Sequence, residues 1–328
     1  MGNSKILSTL LLFFILILNP YQVFSGDSDE VLLEKYLWTQ ISIMSSEERP
    51  KVGLVLGGGG ARGLAHIGVI KVLEEEGIPV DIVVGTSVGA LIGALYAGGV
   101  DMEEIERVAE EIGWNDLVDL SLNPIKLFGM KHIISADKME RYIAEKIKNR
   151  RFDELDKPLA LVACDIQTGE RIIFREGMVA PACRASASIP GIFQPVEYRH
   201  RFLVDGGVVD NVPADVAEIM GADVIIAVNV EGSYSEYRLS NLLDILIQVI
   251  SIQGSLVSNT RLLNADFVIK PAVGDVSIIE LNRGKECMEA GVIACRNMTE
   301  EIKERIMDKT FERFLRLSAV GGPIREIP

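Results

Sequence analysis

A short apolar run, Val80–Val84, leads directly into Gly85-Thr86-Ser87-Val88-Gly89, and from there into Ala90–Ala97, which is rich in small and apolar residues. A strand must end and a helix begin within five residues, with a serine at the corner. That is the setting in which G-x-S-x-G lifts a serine hydroxyl to the top of a sheet. Gly85 and Gly89 let strand and helix approach without side-chain clash. The helix N-terminus aims its free N–H groups at developing negative charge. Ser87 is therefore a candidate nucleophile, and an ordinary buried serine turn is the plainer alternative.

A second glycine cluster lies just upstream. Val52–Leu56 reads as a buried strand and is followed by Gly58-Gly59-Gly60-Ala61-Arg62-Gly63. Alone this is G-x-G-x-x-G. A dinucleotide site would need an acid at the end of the next strand to hold a ribose. That strand ends Val83-Val84-Gly85-Thr86, and Asp81 stands at its start. An oxyanion hole fits better, because consecutive glycines let bare N–H groups converge on one oxygen, each worth ~3 kcal/mol in a transition state. Gly58, Gly59 and Gly60 are the candidate donors, with Arg62 orienting the loop or touching a phosphate.

A base must accompany the serine. Phe202–Val204 reads as a short strand and ends in Asp205-Gly206-Gly207. His66 falls inside the first helix, His132 in an irregular segment, and His200 in the cluster Arg199-His200-Arg201. No motif ties any of them to Ser87, so a Ser87–Asp205 dyad is favoured over a triad. An aspartate at its reference pKa of about 3.9 is a weak base, so burial must raise it or the oxyanion hole must carry most of the acceleration.

Around these segments, short apolar strands alternate with helices. Helices are expected at Leu64–Glu76, Val88–Ala97, 101–112, Ala136–Lys148, after Pro213, and at Thr299–Leu317. Strands are expected at Leu159–Ile166, Arg171–Phe174, Val224–Val230 and Phe267–Ile269. This order predicts an α/β fold, a three-layer α/β/α sandwich on a mostly parallel central sheet. Residues 51–275 form the expected domain, 26–50 a linker or short helix, and 276–328 a helical extension. Trp114–Lys131 has no clear period and reads as a cap over the site or as core under a loop. Asn241–Leu256 is the most apolar late stretch, either a membrane-facing or lid helix or a buried packing element.

The chain carries 33 basic and 47 acidic residues, a net charge of −14. A basic face for nucleic acid is not expected. Residues 1–25 contain one charge, Lys5, and the apolar run Ile6–Leu18. The run is too short to span a bilayer, which takes about 20 residues. It suits a secretory signal cut after Ser25, or else an uncleaved anchor, so export or membrane attachment is expected. Cys164, Cys183, Cys287 and Cys295 form no C-x-x-C, and with three histidines no metal site or other cofactor is expected.

Gly58–Gly63, Gly85–Gly89 and Asp205-Gly206-Gly207, in this order, resemble the bacterial branch of the patatin-like phospholipase family. Further segments are similar to it: Gly63-Leu64-Ala65-His66-Ile67-Gly68, Asp165 with Thr168-Gly169-Glu170, and Ser186-Ala187-Ser188-Ile189-Pro190-Gly191. So are Asp210-Asn211-Val212-Pro213 and Ala265-Asp266-Phe267-Val268-Ile269-Lys270-Pro271. The resemblance implies a serine lipid acyl hydrolase that needs no metal, with Ser87 as nucleophile, Asp205 as proton acceptor and the Gly58–Arg62 loop as oxyanion hole. Its partners would be a phospholipid or lysophospholipid ester and a membrane surface. A lipid-binding or regulatory protein of the same fold, with little or no turnover, is the alternative.

Overall fold

The computed structural model describes residues 27–111, 113, 136–231, 242–273 and 276–320. The expectations for residues 1–25 and for Trp114–Lys131 fall outside them, as does His132.

The chain opens with α1 (Asp27–Ser42), then β1 (Val52–Leu56), α2 (Ala65–Glu75), β2 (Ile82–Thr86) and α3 (Val88–Ala97). Next come α4 (Met102–Glu111), α5 (Asp137–Lys146), β3 (Leu159–Asp165), β4 (Arg171–Phe174) and α6 (Val179–Ser186). Then follow β5 (Val196–Tyr198), β6 (Arg201–Asp205), α7 (Ala214–Ile219), β7 (Val224–Val228) and α8 (Leu242–Arg261). The order closes with β8 (Phe267–Ile269), α9 (Gly284–Arg296) and α10 (Thr299–Val320).

One eight-stranded sheet holds the fold together, with bonded neighbours in the order β5-β6-β3-β2-β1-β7-β8 and β4 also on β3. Strands β3, β2, β1, β7 and β8 run parallel to one another; β4 and β6 join β3, and β5 joins β6, through antiparallel ladders. β1, β2, β3 and β7 are buried throughout, which is why they read as apolar runs rather than as alternation. Each strand still sorts its side chains by face. Leu54 and Leu56 of β1, Val83 of β2 and Ile226 of β7 pack with Ile67, Ile70 and Leu73 of α2. Val55, Val84, Ala160 and Ala227 pack on the other face with Val212, Ala214 and Ala217, at and around α7. Helices thus cover both faces, giving the expected three layers.

One feature departs from the sequence reading and two go beyond it. β2 runs on through Gly85 and Thr86, so the turn is confined to Ser87. β5 and β6 form a hairpin whose turn, Arg199-His200, is left-handed at both residues, with φ of 46° and 65°. Such turns ordinarily carry Asn-Gly or Asp-Gly, so this one had no glycine signal. α9 lies against α2, where Gly68 and Gly291 allow backbone contact. A Cβ on Gly68 would stand 2.0 Å from Met288 O, and one on Gly291 2.0 Å from Ala65 O. All four cysteines are free and buried.

Candidate active site

β3 brings the two candidate catalytic residues together. Leu161 pairs with Gly85 of β2 and also with Phe174 of β4, so β2 and β4 occupy opposite edges of β3. Ala163 pairs with Ile172 of β4 and also with Asp205 of β6, which puts β6 on the β2 edge. β2 ends where Thr86 pairs with Val162, and the antiparallel β6 ends where Asp205 pairs with Ala163. The two strands therefore meet C-terminus to C-terminus on consecutive residues of one strand.

Ser87 sits in that gap at φ 57° and ψ −125°, outside the usual L-residue regions. The bend needs its glycines. A Cβ on Gly85 would lie 2.5 Å from Gly89 O, and one on Gly89 2.1 Å from Leu56 O. Ser87 Oγ donates to Asp205 Oδ2 at 2.5 Å. Asp205 Oδ1 accepts from Gly207 N at 2.8 Å. Both residues are buried, and burial pushes the Asp205 carboxyl up to about 6, against the opposing pull of the Ser87 and Gly207 donors.

The backbone of the pair is held by a segment that sequence reasoning did not place in the site. Ser87 N donates to Ser186 Oγ at 3.0 Å, and Ser186 Oγ donates to Val162 O at 2.6 Å. Asp205 N donates to Ser188 O at 2.9 Å. The signal was the Ser186–Gly191 stretch quoted for the family resemblance, which carries no spacing that by itself points to Ser87.

The glycine loop leaves β1 directly beside Ser87: a Cβ on Gly58 would stand 3.1 Å from Ser87 Cβ. Gly58 N donates to Asn211 O at 3.2 Å, and Ala61 N to Ile278 O at 2.8 Å. Between them, the N–H groups of Gly59 and Gly60 have no backbone acceptor among the described residues. Gly60 is left-handed at φ 56°, and a Cβ there would meet Ile278 O at 2.3 Å. Arg62 is buried and donates from Nε to Val276 O at 2.6 Å, so its guanidinium ties the loop to the 276–278 segment. Gly63 packs on Val88, where a Cβ would come within 2.0 Å of Val88 Cγ1. Gly206 packs on β3, where a Cβ would lie 2.2 Å from Val162 O. The loop thus offers Gly59 and Gly60 as free donors, with Gly58 and Arg62 spent on holding it.

His66 is fully buried, and its Nε2 lies 2.7 Å from Gly57 O. Burial drives its pKa down to about 4, so the ring is neutral and braces the start of the loop. His200 sits in the β5–β6 turn and is exposed. α8 lies along the residues that follow Asp205. A Cβ on Gly254 would stand 2.3 Å from Gly207 O, and Ser258 Oγ accepts from the N–H groups of Asn211 and Val212 at 3.0 and 3.1 Å. Arg261 pairs with the buried Asp210, which Arg171 also reaches. The far side of α8 is apolar and open: Ile245, Val249, Ile252 and Leu256 are 45%, 54%, 41% and 68% exposed.

The patatin-like phospholipase family model matches residues 54–218, about half the chain, and takes in Ser87, Asp205 and the glycine loop. A patatin-like phospholipase domain-containing protein of Caenorhabditis elegans, ZK370.4, is 41% identical over 196 residues, 57% of this chain and 14% of the relative. Human patatin-like phospholipase domain-containing protein 6 is 37% identical over 199 residues, 60% of this chain and 14% of the relative. The NTE family protein MT2641 of Mycobacterium tuberculosis is 30% identical over 274 residues, 75% of this chain and 46% of the relative. The chain therefore spans less than half the length of these relatives. The crystal structure of VipD from Legionella pneumophila has the same fold, with a TM-score of 0.51 at 16% identity over 79% of this chain and 67% of VipD. On the strength of the family match, the chain belongs to the patatin-like phospholipase family.

Proposed function

We propose that this protein is a serine lipid acyl hydrolase, of phospholipase A or lysophospholipase type. The observation that carries the reading is the 2.5 Å hydrogen bond from Ser87 Oγ to Asp205 Oδ2 at a left-handed corner beside the glycine loop. In this reading Asp205 takes the Ser87 proton as Oγ attacks an ester carbonyl. Gly59 and Gly60 donate to the oxyanion, Asp205 passes the proton to the oxygen of the leaving alcohol, and an acyl-enzyme remains. Asp205, ionised again, then deprotonates the water that attacks the acyl-enzyme and returns that proton to Ser87 as the fatty acid leaves. An aspartate raised toward neutrality is a better base than an ordinary one, and it is still ionised at pH 7.

The reading extends to a membrane surface as the place of action. The exposed stripe on α8 supports it, since the opposite face of that helix packs on Gly207, two residues beyond Asp205. Among the described residues no helix is long and apolar enough to cross a membrane. The Ile6–Leu18 run supports placement outside the cytoplasm, exported or anchored at the N-terminus.

The test is fatty-acid release from phospholipid and lysophospholipid vesicles by wild type, Ser87→Ala and Asp205→Asn. Release by wild type and its loss in both folded variants is the expected result. A wild type inactive on every ester would favour a lipid-binding protein of the same fold, and variants as active as wild type would remove the dyad.

A further inference from the structure

Asn211 is half-buried between the glycine loop and the turn after Asp205, and the chemistry above gives it no role. Gly58 is bonded to it twice. Gly58 N donates to Asn211 O at 3.2 Å, and Asn211 Nδ2 donates to Gly58 O at 3.2 Å. The second hydrogen of the same amide goes to Glu231 Oε1 at 2.9 Å. An amide nitrogen has two donors, and here both meet acceptors, so the carboxylate fixes which way round the amide sits. Glu231 is itself braced: its N–H donates to Asn229 Oδ1 at 2.9 Å, and its Oε2 accepts from Asn229 Nδ2 at 3.4 Å. Burial raises the Glu231 carboxyl, and the two asparagine amides act against that rise.

The two glycines beside this amide leave room for it. A Cβ on Gly58 would stand 2.4 Å from Asn211 Oδ1, and one on Gly207 3.0 Å from it. The preceding residue reaches the nucleophile's strand, since Thr86 Oγ1 donates to Asp210 O at 3.2 Å. One short segment, 205–211, thus contacts the residue before Ser87, carries Asp205, and grips the first glycine of the loop.

We propose that Asn211 is a positioning residue: it locks Gly58, and through Gly58 the N–H groups of Gly59 and Gly60, in register with Ser87 and Asp205, with Glu231 holding its amide in the donating orientation. The inference rests on the hydrolase reading of this site. Its chemical content is that the loop is set by a donor on the Asp205 side of the cleft. Oxyanion stabilisation depends on where the donors stand when charge appears, so losing the lock lowers turnover more than ground-state binding.

The experiment uses the full chain with Asn211→Asp, Asn211→Ala, Glu231→Leu and Glu231→Gln. Asn211→Asp keeps the shape but has no donors, and Glu231→Gln keeps an acceptor carbonyl for the amide. Two readouts are taken. For fatty-acid release, kcat is expected to fall about tenfold to a hundredfold in both Asn211 variants and in Glu231→Leu, with KM within about twofold, and to recover in Glu231→Gln. For amide hydrogen exchange, the peptide covering 57–63 is expected to exchange about tenfold faster in Asn211→Asp and Asn211→Ala, with β1 and β7 unchanged. The inference is overturned by Asn211→Asp with kcat within twofold of wild type, by unchanged exchange at 57–63, or by activity lost only in proportion to folded protein. If wild type itself releases no fatty acid, the hydrolase reading has failed, and the exchange result alone decides whether Asn211 holds the loop.

Discussion

Ser87 and Asp205 meet at a head-on junction of two strands on one edge of β3: Thr86 pairs with Val162 and Asp205 with Ala163. Because both strand ends point into the same gap, neither side chain has to reach over a third strand. The hydroxyl and the carboxylate touch at 2.5 Å without a histidine between them. Asp205 is buried there, and its carboxyl titrates near 6.

A pH dependence follows. In the proposed mechanism Asp205 is the base and works only when ionised, so kcat/KM on a water-soluble ester should rise about tenfold per pH unit below pH 6 and level off above it. His200 is exposed and should leave this limb unchanged when replaced by Ala. A limb near 6.5 that disappears in a histidine variant would assign the base elsewhere.

The same carboxylate should cost stability. Native Asp205 keeps its proton up to about pH 6, whereas the unfolded chain loses it near 3.8. Between those values the native state binds more protons, so this group's contribution to stability falls as pH rises, and the full cost persists above 6. The size is on the order of 3 kcal/mol. Asp205→Asn should therefore be inactive yet melt higher than wild type at pH 7, by several degrees, with the gap shrinking toward pH 4. A gap that widens toward pH 4 would contradict this.

Much of this was legible in the residues because the constraints are local. Ser87 stands out because a strand and a helix joined within five residues leave one corner. Burial that raises Asp205 was one of the two routes left open once no histidine had a motif, the other being an oxyanion hole that carries most of the acceleration. The contacts that complete the site were not legible, because they join segments roughly one hundred to two hundred residues apart whose own spacing is ordinary. Ser186 reaches Ser87 N, and Ile278 O receives Ala61 N, and only the folded sheet brings these together. The Arg199-His200 turn was silent for a different reason: it holds two left-handed residues without glycine.

That left-handed geometry at Ser87 makes a further prediction. A side chain at φ 57° is strained by about 1–3 kcal/mol, and only glycine relieves it. Ser87→Ala and Ser87→Gly should be equally inactive, but the glycine variant should melt a few degrees higher than the alanine variant. Equal melting temperatures would mean that the corner stores no strain.

The contact between α2 and α9 should be intolerant of even a methyl group. Gly68 faces Met288 O, and Gly291 faces Ala65 O, each at 2.0 Å from where a Cβ would be. Gly68→Ala or Gly291→Ala should cost about 1–3 kcal/mol, read as a lower denaturation midpoint with an unchanged slope. α2 follows the glycine loop, so activity per folded molecule should fall as well. Alanine variants as stable as wild type would mean that the two helices can separate freely.

The exposed face of α8 makes the last prediction. Ile245, Val249, Ile252 and Leu256 recur at helical spacing, and residues 245–260 carry no charge. Burying such side chains in an acyl boundary is worth roughly 1.5–3 kcal/mol each when complete. The packed face is separate: Gly254 and Ser258 hold the segment after Asp205. Val249→Glu combined with Ile252→Glu should therefore strip vesicle binding without disturbing the dyad. Release of fatty acid from zwitterionic phospholipid vesicles should fall at least about tenfold, while hydrolysis of a soluble short-chain ester stays within about twofold. Parallel loss on both substrates would make α8 a scaffold for the catalytic loop alone, and no loss on either would leave the stripe without a part in lipid capture.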